Sequence, residues 1–205
     1  MKILITAGPT REYLDPVRFI SNGSSGKLGY ALAQTARDRG HKVILISGPV
    51  ALTPPKGVKV AHVETGLQMH GICNIAFHWA DAVIMAAAVC DYRPKKAARH
   101  KLAKLDSLTL ELVKTPDILA DLGAKKRGQV LIGFALQDKQ ARARAKEKLL
   151  RKNCDAIVLN RPAAIGADRG DIEILVRGQP WQAYPSRTKK QQSLIIIKLA
   201  EQLLP

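Results

Sequence analysis

Short continuous apolar runs alternate along this chain with longer stretches in which apolar residues recur every three to four positions. The first run, Ile3-Leu4-Ile5-Thr6-Ala7, passes through Gly8-Pro9 into a polar loop, and periodicity sets in at Leu28, Ala31, Leu32 and Ala36. The spacing predicts a strand, then a helix over 28–39 that Gly40 stops. Further strand runs lie at 41–47, 58–63 and 82–89, with a helical pattern over 66–79 before the last of them. Residues 82–89 are apolar throughout, which marks a strand buried on both faces. Residues 108–113 alternate as a strand would. Thr115-Pro116-Asp117-Ile118 reads as a helix start, with Thr115 as N-cap and Pro116 at the first helical position. A fifth parallel strand over 129–135, a helix over 139–152 and a sixth strand over 155–160 continue the alternation. Residues 171–176 read as an antiparallel edge strand, 181–184 as its pairing partner, and 194–204 as a closing helix. The implied class is α/β, a Rossmann-like three-layer arrangement with a parallel sheet, right-handed crossovers, helices on both faces and a small antiparallel edge. Between 92 and 107 the periodicity lapses into a basic, flap-like segment.

Composition narrows this picture. The 205 residues suffice for one domain, 1–205, with a substantial core, and 46% of them are hydrophobic. Only 4% are aromatic, so Ala, Leu, Ile and Val fill the interior, as suits parallel strands under helices. Three scattered cysteines, Cys73, Cys90 and Cys154, form no disulfide framework and no metal-ligand spacing. A reducing cytoplasm is the compartment such usage suits. The N-terminal apolar run is too short for a signal peptide, and no stretch is long and apolar enough for a membrane span.

Charge changes the picture more. Thirty-three Lys and Arg against seventeen Asp and Glu leave a formal charge of +16. Such a balance fits a nucleic-acid binder or an enzyme with polyanionic substrates, and equally a set of solvated faces. Interleaved aromatics and base-reading motifs are missing, which argues against specific nucleic-acid recognition.

The chemistry concentrates where the first strand ends. A strand running into Gly8, then Ser24-Ser25-Gly26-Lys27-Leu28-Gly29 opening a helix, lets backbone N–H groups approach an anion at a helix N-terminus. The spacing is neither Gly-x-Gly-x-x-Gly nor a P-loop, and a turn followed by an ordinary helix start accounts for the same letters. Asp91, after the 82–89 strand, stands where open α/β sheets hold ligands, or it caps a turn. Cys90 beside it reads as a small buried residue with no activating base nearby. Lysines of the 93–105 segment are suited to closing over a triphosphate, though a solvated loop has the same composition. Phe134 at a strand's carboxyl edge serves to stack a base or to complete the core. On the 139–152 helix, Lys148 and Lys152 fall within about 20° of Ala141, on the inward stripe. There they require either an anionic partner or an escape to solvent. Asn160 ends the sixth strand.

Taken in order, Thr-Ala-Gly-Pro-Thr-Arg-Glu, Asp-Pro-Val-Arg-Phe-Ile-Ser-Asn, Ser-Ser-Gly-Lys-Leu-Gly, Ala-Ala-Ala-Val-Cys-Asp-Tyr-Arg-Pro, Lys-Leu-Ala-Lys, Thr-Pro-Asp-Ile-Leu-Ala, Gly-Phe-Ala and Lys148-x3-Lys152 resemble the phosphopantothenoylcysteine synthetases of coenzyme A biosynthesis. The resemblance implies a Rossmann-type homodimer that joins 4'-phosphopantothenate to L-cysteine through an acyl-nucleotide. Magnesium accompanies the nucleotide, and pyrophosphate and then the nucleoside monophosphate are released. It implies that Gly8, Ser24, Gly26 and Gly29 line the nucleotide phosphates, and that Asn22 binds the pantothenate carboxylate and holds the acyl-nucleotide. Ala86, Ala87 and Asp91 contact the nucleotide, and Ala87, Ala88 and Asp91 the pantothenate arm. Arg18 reaches a neighbouring copy's substrate phosphate. Lys101 forms the acyl-nucleotide. Thr115, Pro116, Asp117, Ile118, Phe134, Lys148, Lys152 and Asn160 hold base, ribose and triphosphate. CTP is the expected co-substrate, with ATP the alternative. A phosphopantothenoylcysteine decarboxylase is a further expected partner, whereas a membrane and specific nucleic acid are not.

Three departures from the family pattern stand out. The flap reads Lys-Leu-Ala-Lys where Lys-Ile-Lys-Lys is usual. Leu136-Gln137-Asp138 stands for Ala-Glu-Thr, and Cys90 for Ala. Many bacterial relatives carry a flavin decarboxylase domain ahead of this first strand, so the expectation is either a free-standing synthetase or one cut from a longer chain. Tyr92-x3-Lys96 mimics a short-chain oxidoreductase pair, but Pro94 between them breaks the helix that pair needs.

Overall fold

In the computed structural model, which describes residues 1–204, the chain runs β1 (Lys2–Ala7), β2 (Arg11–Tyr13), β3 (Phe19–Ser21), α1 (Lys27–Asp38), β4 (Lys42–Ser47), β5 (Lys59–His62), α2 (Gly66–Phe77) and β6 (Ala82–Met85). It continues with β7 (Tyr92–Pro94), β8 (Leu112–Lys114), α3 (Ile118–Lys125), β9 (Val130–Leu136), α4 (Ala141–Arg151), β10 (Ala156–Asn160), β11 (Arg169–Val176), β12 (Gln182–Thr188) and α5 (Lys189–Leu203).

Eight strands form one mixed sheet in the order β12-β11-β10-β9-β6-β1-β4-β5. The six from β10 to β5 are parallel, and β11 and β12 add an antiparallel margin. The class expected from sequence therefore holds. Alternation along β1 explains the layering. Ile3, Ile5 and Ala7 join the cluster under α1 and α5, whereas Leu4 joins the opposite cluster with Met69 and Phe77 of α2 and Leu122 of α3. Ile3, Leu4 and Ile5 are fully buried, each worth about 1.5–3 kcal/mol of transfer free energy. Among the described residues no helix is long and apolar enough to cross a membrane.

Several elements differ from the periodicity reading. The 82–89 run leaves the ladder after Met85, and its last residues turn to pair with the chain beyond β1. The Ala88 N–H donates to the Gly8 carbonyl at 2.9 Å, and the Thr10 N–H to the Ala88 carbonyl at 3.2 Å. Residues 108–111 form no strand; only Leu112–Lys114 pairs, with β7, off the main sheet. Leu108 and Leu110 stay exposed, outside any strand. Thr115 is not an N-cap. Its hydroxyl donates to the Cys90 carbonyl and its N–H to the Asp91 carbonyl, so Asp117 caps α3 by accepting from the Ala120 N–H at 3.0 Å. α5 begins at Lys189, five residues earlier than its apolar stripe suggests, because Thr188 and Gln191 form a reciprocal capping box. β12 extends to Thr188, so it rather than β11 is the edge. The β2–β3 hairpin was carried by no hydrophobic alternation and is an addition of the structure.

Candidate active site

From β1 the chain winds outward to β4 and β5, and from β6 it winds the other way to β9 and β10. The carboxyl ends of β1 and β6 therefore diverge at a topological switch point, where open α/β sheets take ligands. Side-chain hydroxyls stitch its two lips together. Thr6 Oγ1 accepts from the Ala87 N–H at 3.1 Å, and Thr10 Oγ1 from the Cys90 N–H at 3.0 Å. Asn22, exposed just after β3, donates its amide to the Ala88 carbonyl at 3.0 Å. Ala87, Ala88 and Asn22 thus share one edge.

The N-terminus of α1 opens at the same place. Gly8 and Gly26 both have left-handed backbones, φ +75 and +74, and a Cβ on either would press to within 3 Å of the Val50 side chain. A Cβ on Gly29 would collide with Ala7 of β1, so a bare α-carbon here is what lets the helix start lie against the strand end. No side chain caps α1 and no acidic residue sits in its first turn. Its first intrahelical bond runs from the Tyr30 N–H to the Gly26 carbonyl at 3.1 Å. Ser24 Oγ accepts from the Gly26 N–H at 3.3 Å, and Lys27 is paired with Asp168 at 2.7 Å. The remaining first-turn N–H groups thus have no side-chain cap, an arrangement that suits an anion.

On the other side of the switch point, α4 supplies cations. Lys148 donates to the Phe134 carbonyl at 2.8 Å, and Lys152, buried, donates to the Asp117 carboxylate. The inward stripe therefore finds oxygen partners and does not snorkel. Burial pushes the Lys148 ammonium below its ordinary range. Burial would raise the Asp117 carboxyl, but the Lys152 ammonium and the Ala120 N–H outweigh it and hold it low. Phe134 is half-buried and its side chain packs against the cluster under α1 and α5. Asn160 ends β10, its carbonyl accepting from the Gln137 N–H at 3.2 Å while its side-chain oxygen is buried without a partner. Cys90 is buried, and burial pushes its thiol up. It behaves as a packing residue, as its sequence context implies.

The basic segment hangs from the β7–β8 ribbon. Lys101 is exposed with no side-chain partner among the described residues, and Asp91 is likewise exposed. Arg18 folds back in this single chain: its Nε and Nη2 reach the Asp15 carboxylate at 2.9 and 2.6 Å, and Nη2 also donates to the Leu102 carbonyl at 2.8 Å. Asp15, given no role by sequence reasoning, is the residue on which this arrangement turns. Its signal lay in Asp15-Pro16-Val17-Arg18, because an aspartate accepting N–H bonds two and three residues on is a recurrent turn. Thr6 and Thr10 were missed because a threonine in a strand looks like β-propensity alone. Among the described residues no group of three or more His, Cys, Asp or Glu is placed to hold a metal ion.

The family described as "DNA/pantothenate metabolism flavoprotein C-terminal domain" matches residues 1–203. The coenzyme A biosynthesis bifunctional protein CoaBC of Bacillus subtilis strain 168 is 43% identical over 202 residues, covering 96% of this chain and 50% of the relative. A crystal structure of the C-terminal domain of a CoaBC protein superposes with TM-score 0.87 at 40% identity, covering 98% of this chain and 94% of the other. A Cab2 variant solved with phosphopantothenate-cysteine shares the fold at 17% identity and TM-score 0.79, covering 98% of this chain and 87% of that one. The chain spans about half the length of the curated relatives it matches. By sequence and by fold, the chain belongs to the DNA/pantothenate metabolism flavoprotein C-terminal domain family, alongside the C-terminal domains of the CoaBC proteins of coenzyme A biosynthesis.

Proposed function

We propose that this chain is a phosphopantothenate–cysteine ligase, joining 4'-phosphopantothenate to L-cysteine with CTP and releasing pyrophosphate and CMP. The observation that carries the proposal is the convergence of the uncapped α1 N-terminus and Asn22, at the Ala88 carbonyl, on one sheet edge. The basic segment bearing Lys101, which has no side-chain partner among the described residues, is tied to Leu14, Asp15 and Arg18 in the stretch that leads into Asn22. That convergence occurs in a chain 43% identical to a coenzyme A biosynthesis protein.

Joining a carboxylate to an amine requires that one carboxylate oxygen become a leaving group. In the first half-reaction a pantothenate carboxylate oxygen attacks the α-phosphorus, the bond to the departing pyrophosphate breaks, and an acyl-nucleotide forms. Little covalent help is needed; positioning and charge neutralisation dominate. The α1 N–H groups around Gly8, Ser24, Gly26 and Gly29 receive phosphate oxygens. Lys101 neutralises charge as pyrophosphate leaves, while Lys148 and Lys152 keep positive charge beside the Phe134 edge, where the base stacks. Thr115 to Ile118 and Asn160 border the base and ribose, with Ala86 and Asp91 along the phosphates. If bound with the nucleotide, magnesium would supply further charge neutralisation at the phosphates. In the second half-reaction the cysteine amine attacks the acyl carbon, CMP departs, and Asn22 holds the acyl group in line. Arg18 of a second copy meets the substrate phosphate, which makes the working species a homodimer. Accumulation of the acyl-nucleotide when cysteine is withheld, followed by mass spectrometry, is the test.

A further inference from the structure

Among the described residues, the loop between Lys95 and Glu111 is tied to the rest of the chain by hydrogen bonds at two places. The Ala98 N–H donates to the Leu14 carbonyl at 2.8 Å, and Leu102 is held by the Asp15–Arg18 pair. Asp15 is 1% exposed. Its Oδ1 accepts from the Val17 and Arg18 N–H groups, both at 2.8 Å. Its Oδ2 accepts from Arg18 Nε at 2.9 Å, Arg18 Nη2 at 2.6 Å and the Leu102 N–H at 3.1 Å. Arg18 Nη2 closes the ring by donating to the Leu102 carbonyl at 2.8 Å. One ion pair thus grips both polar groups of a single flap residue, 87 positions away from Asp15.

We propose that Asp15 is a positioning residue for the flap, its buried carboxylate fixing the Lys101–Leu102 peptide and so setting where the Lys101 ammonium enters the site. The proposal rests on the reading of Lys101 as the group that assists acyl-nucleotide formation. The Leu102 N–H belongs to the peptide plane that begins at Lys101, so the bond to Asp15 restricts the backbone rotation that aims the Lys101 side chain. A carboxylate that accepts five hydrogen bonds is far more demanding than a turn requires. The Val17 and Arg18 N–H groups alone complete the turn, and the remaining three donors serve the connection to the flap. Burial would raise the Asp15 carboxyl, but Arg18 and the N–H groups of Leu102, Val17 and Arg18 prevail and keep it ionised far below neutrality. The clasp is therefore charged at neutral pH.

Asp15→Asn in the full chain tests this. It keeps the size of the side chain but removes its charge and turns one acceptor into a donor facing Arg18 and Leu102. The expected result has three parts. With 4'-phosphopantothenate or acyl-nucleotide saturating, so that any loss of phosphate binding through Arg18 is masked, acyl-nucleotide formation in a single turnover slows about 10²-fold, as a misplaced group near the chemistry does, while cysteine attack on supplied acyl-nucleotide keeps its rate. Amide exchange accelerates across 96–107 but not in β1. Added to Lys101→Ala, Asp15→Asn costs nothing further. A first half-reaction at the normal rate overturns the proposal, as does a loss that multiplies with that of Lys101→Ala. If Lys101→Ala itself retains the full rate, the reading of the flap fails and the proposal with it, whatever the exchange data show. Asp15→Glu, which keeps the charge but moves it by one methylene, carries the same expectations if Asp15→Asn does not fold.

Discussion

Asn22 and Ala88, 66 residues apart, are joined across the divergence of β1 and β6 by a 3.0 Å hydrogen bond from the Asn22 amide to the Ala88 carbonyl. The bond uses one of the two N–H groups of an exposed side-chain amide. Asn22 is therefore oriented without being buried, as the proposed hold on a reacting carboxyl requires. Asn22→Asp replaces that donor by a carboxylate set against a carbonyl oxygen. The expected outcome is an acyl-nucleotide that forms and then stalls, with turnover down about 10²-fold, read by quenching and mass spectrometry.

Lys101→Ala removes an exposed ammonium with no partner among the described residues. Thermal unfolding is expected to stay within the small range of ordinary surface changes. Acyl-nucleotide formation is expected to fall about 10²–10³-fold. A variant with unchanged turnover at saturating substrates would contradict the role given to the flap.

The seat of α1 on β1 is a matter of one missing methyl. Gly29→Ala drives a Cβ into Ala7 and is expected to cost about 1–3 kcal/mol, as overpacking does. Gly71→Ala, in α2 with open space around it, is expected to add about 0.5–1 kcal/mol, because alanine restores helix propensity there. Urea unfolding of the two variants gives opposite signs.

Acid stability has an identifiable contributor far from the site. Glu201 accepts from Arg39 at 2.8 and 2.7 Å and lies 2.7 Å from the His41 ring. The Arg39 hydrogen bonds outweigh burial, and His41 adds to them, so the carboxyl falls from its ordinary 4.5 to about 2. A carboxyl whose folded value is depressed binds fewer protons folded than unfolded, so stability rises with pH across that interval. Its contribution is present above about 4.5 and is lost as pH falls toward about 2. Glu201→Gln should flatten the pH dependence of the unfolding midpoint in that window and leave the pyrophosphate-release rate alone.

Much of this architecture is legible in the sequence because the central strands, β1 and β6 above all, are buried on both faces. Ile3 to Ala7 and Ala82 to Met85 have no polar face to confuse the pattern. The Ser24–Gly29 opening is legible for a different reason, since small residues at a strand-to-helix turn serve close approach. The 108–113 alternation misleads because period two records side-chain order and not a partner strand. Thr115 misleads because a hydroxyl near a helix start has other carbonyls to choose from, here that of Cys90. Asp15 was invisible as a clasp because its partner lies 87 residues away, and no local rule records such a distance.

Val17 and Phe19 beside the β2–β3 hairpin, and Tyr92 and Leu112 on the β7–β8 ribbon, are exposed apolar side chains, and β2 and β7 lie side by side. Such surface is expected to be covered by a second copy of the chain. Light scattering should give a homodimer, and Phe19→Lys with Leu112→Lys a monomer that has lost ligation. A native chain that is monomeric at working concentration would contradict the dimeric site.

If this sheet edge performs a two-step ligation, pyrophosphate release follows its first step and, through turnover, its second. Purified protein receives 4'-phosphopantothenate and magnesium with CTP or ATP, with and without cysteine. The predicted result is one equivalent of pyrophosphate per site without cysteine and many turnovers with it, faster with CTP than with ATP. Folded protein that releases none with either nucleotide contradicts the account.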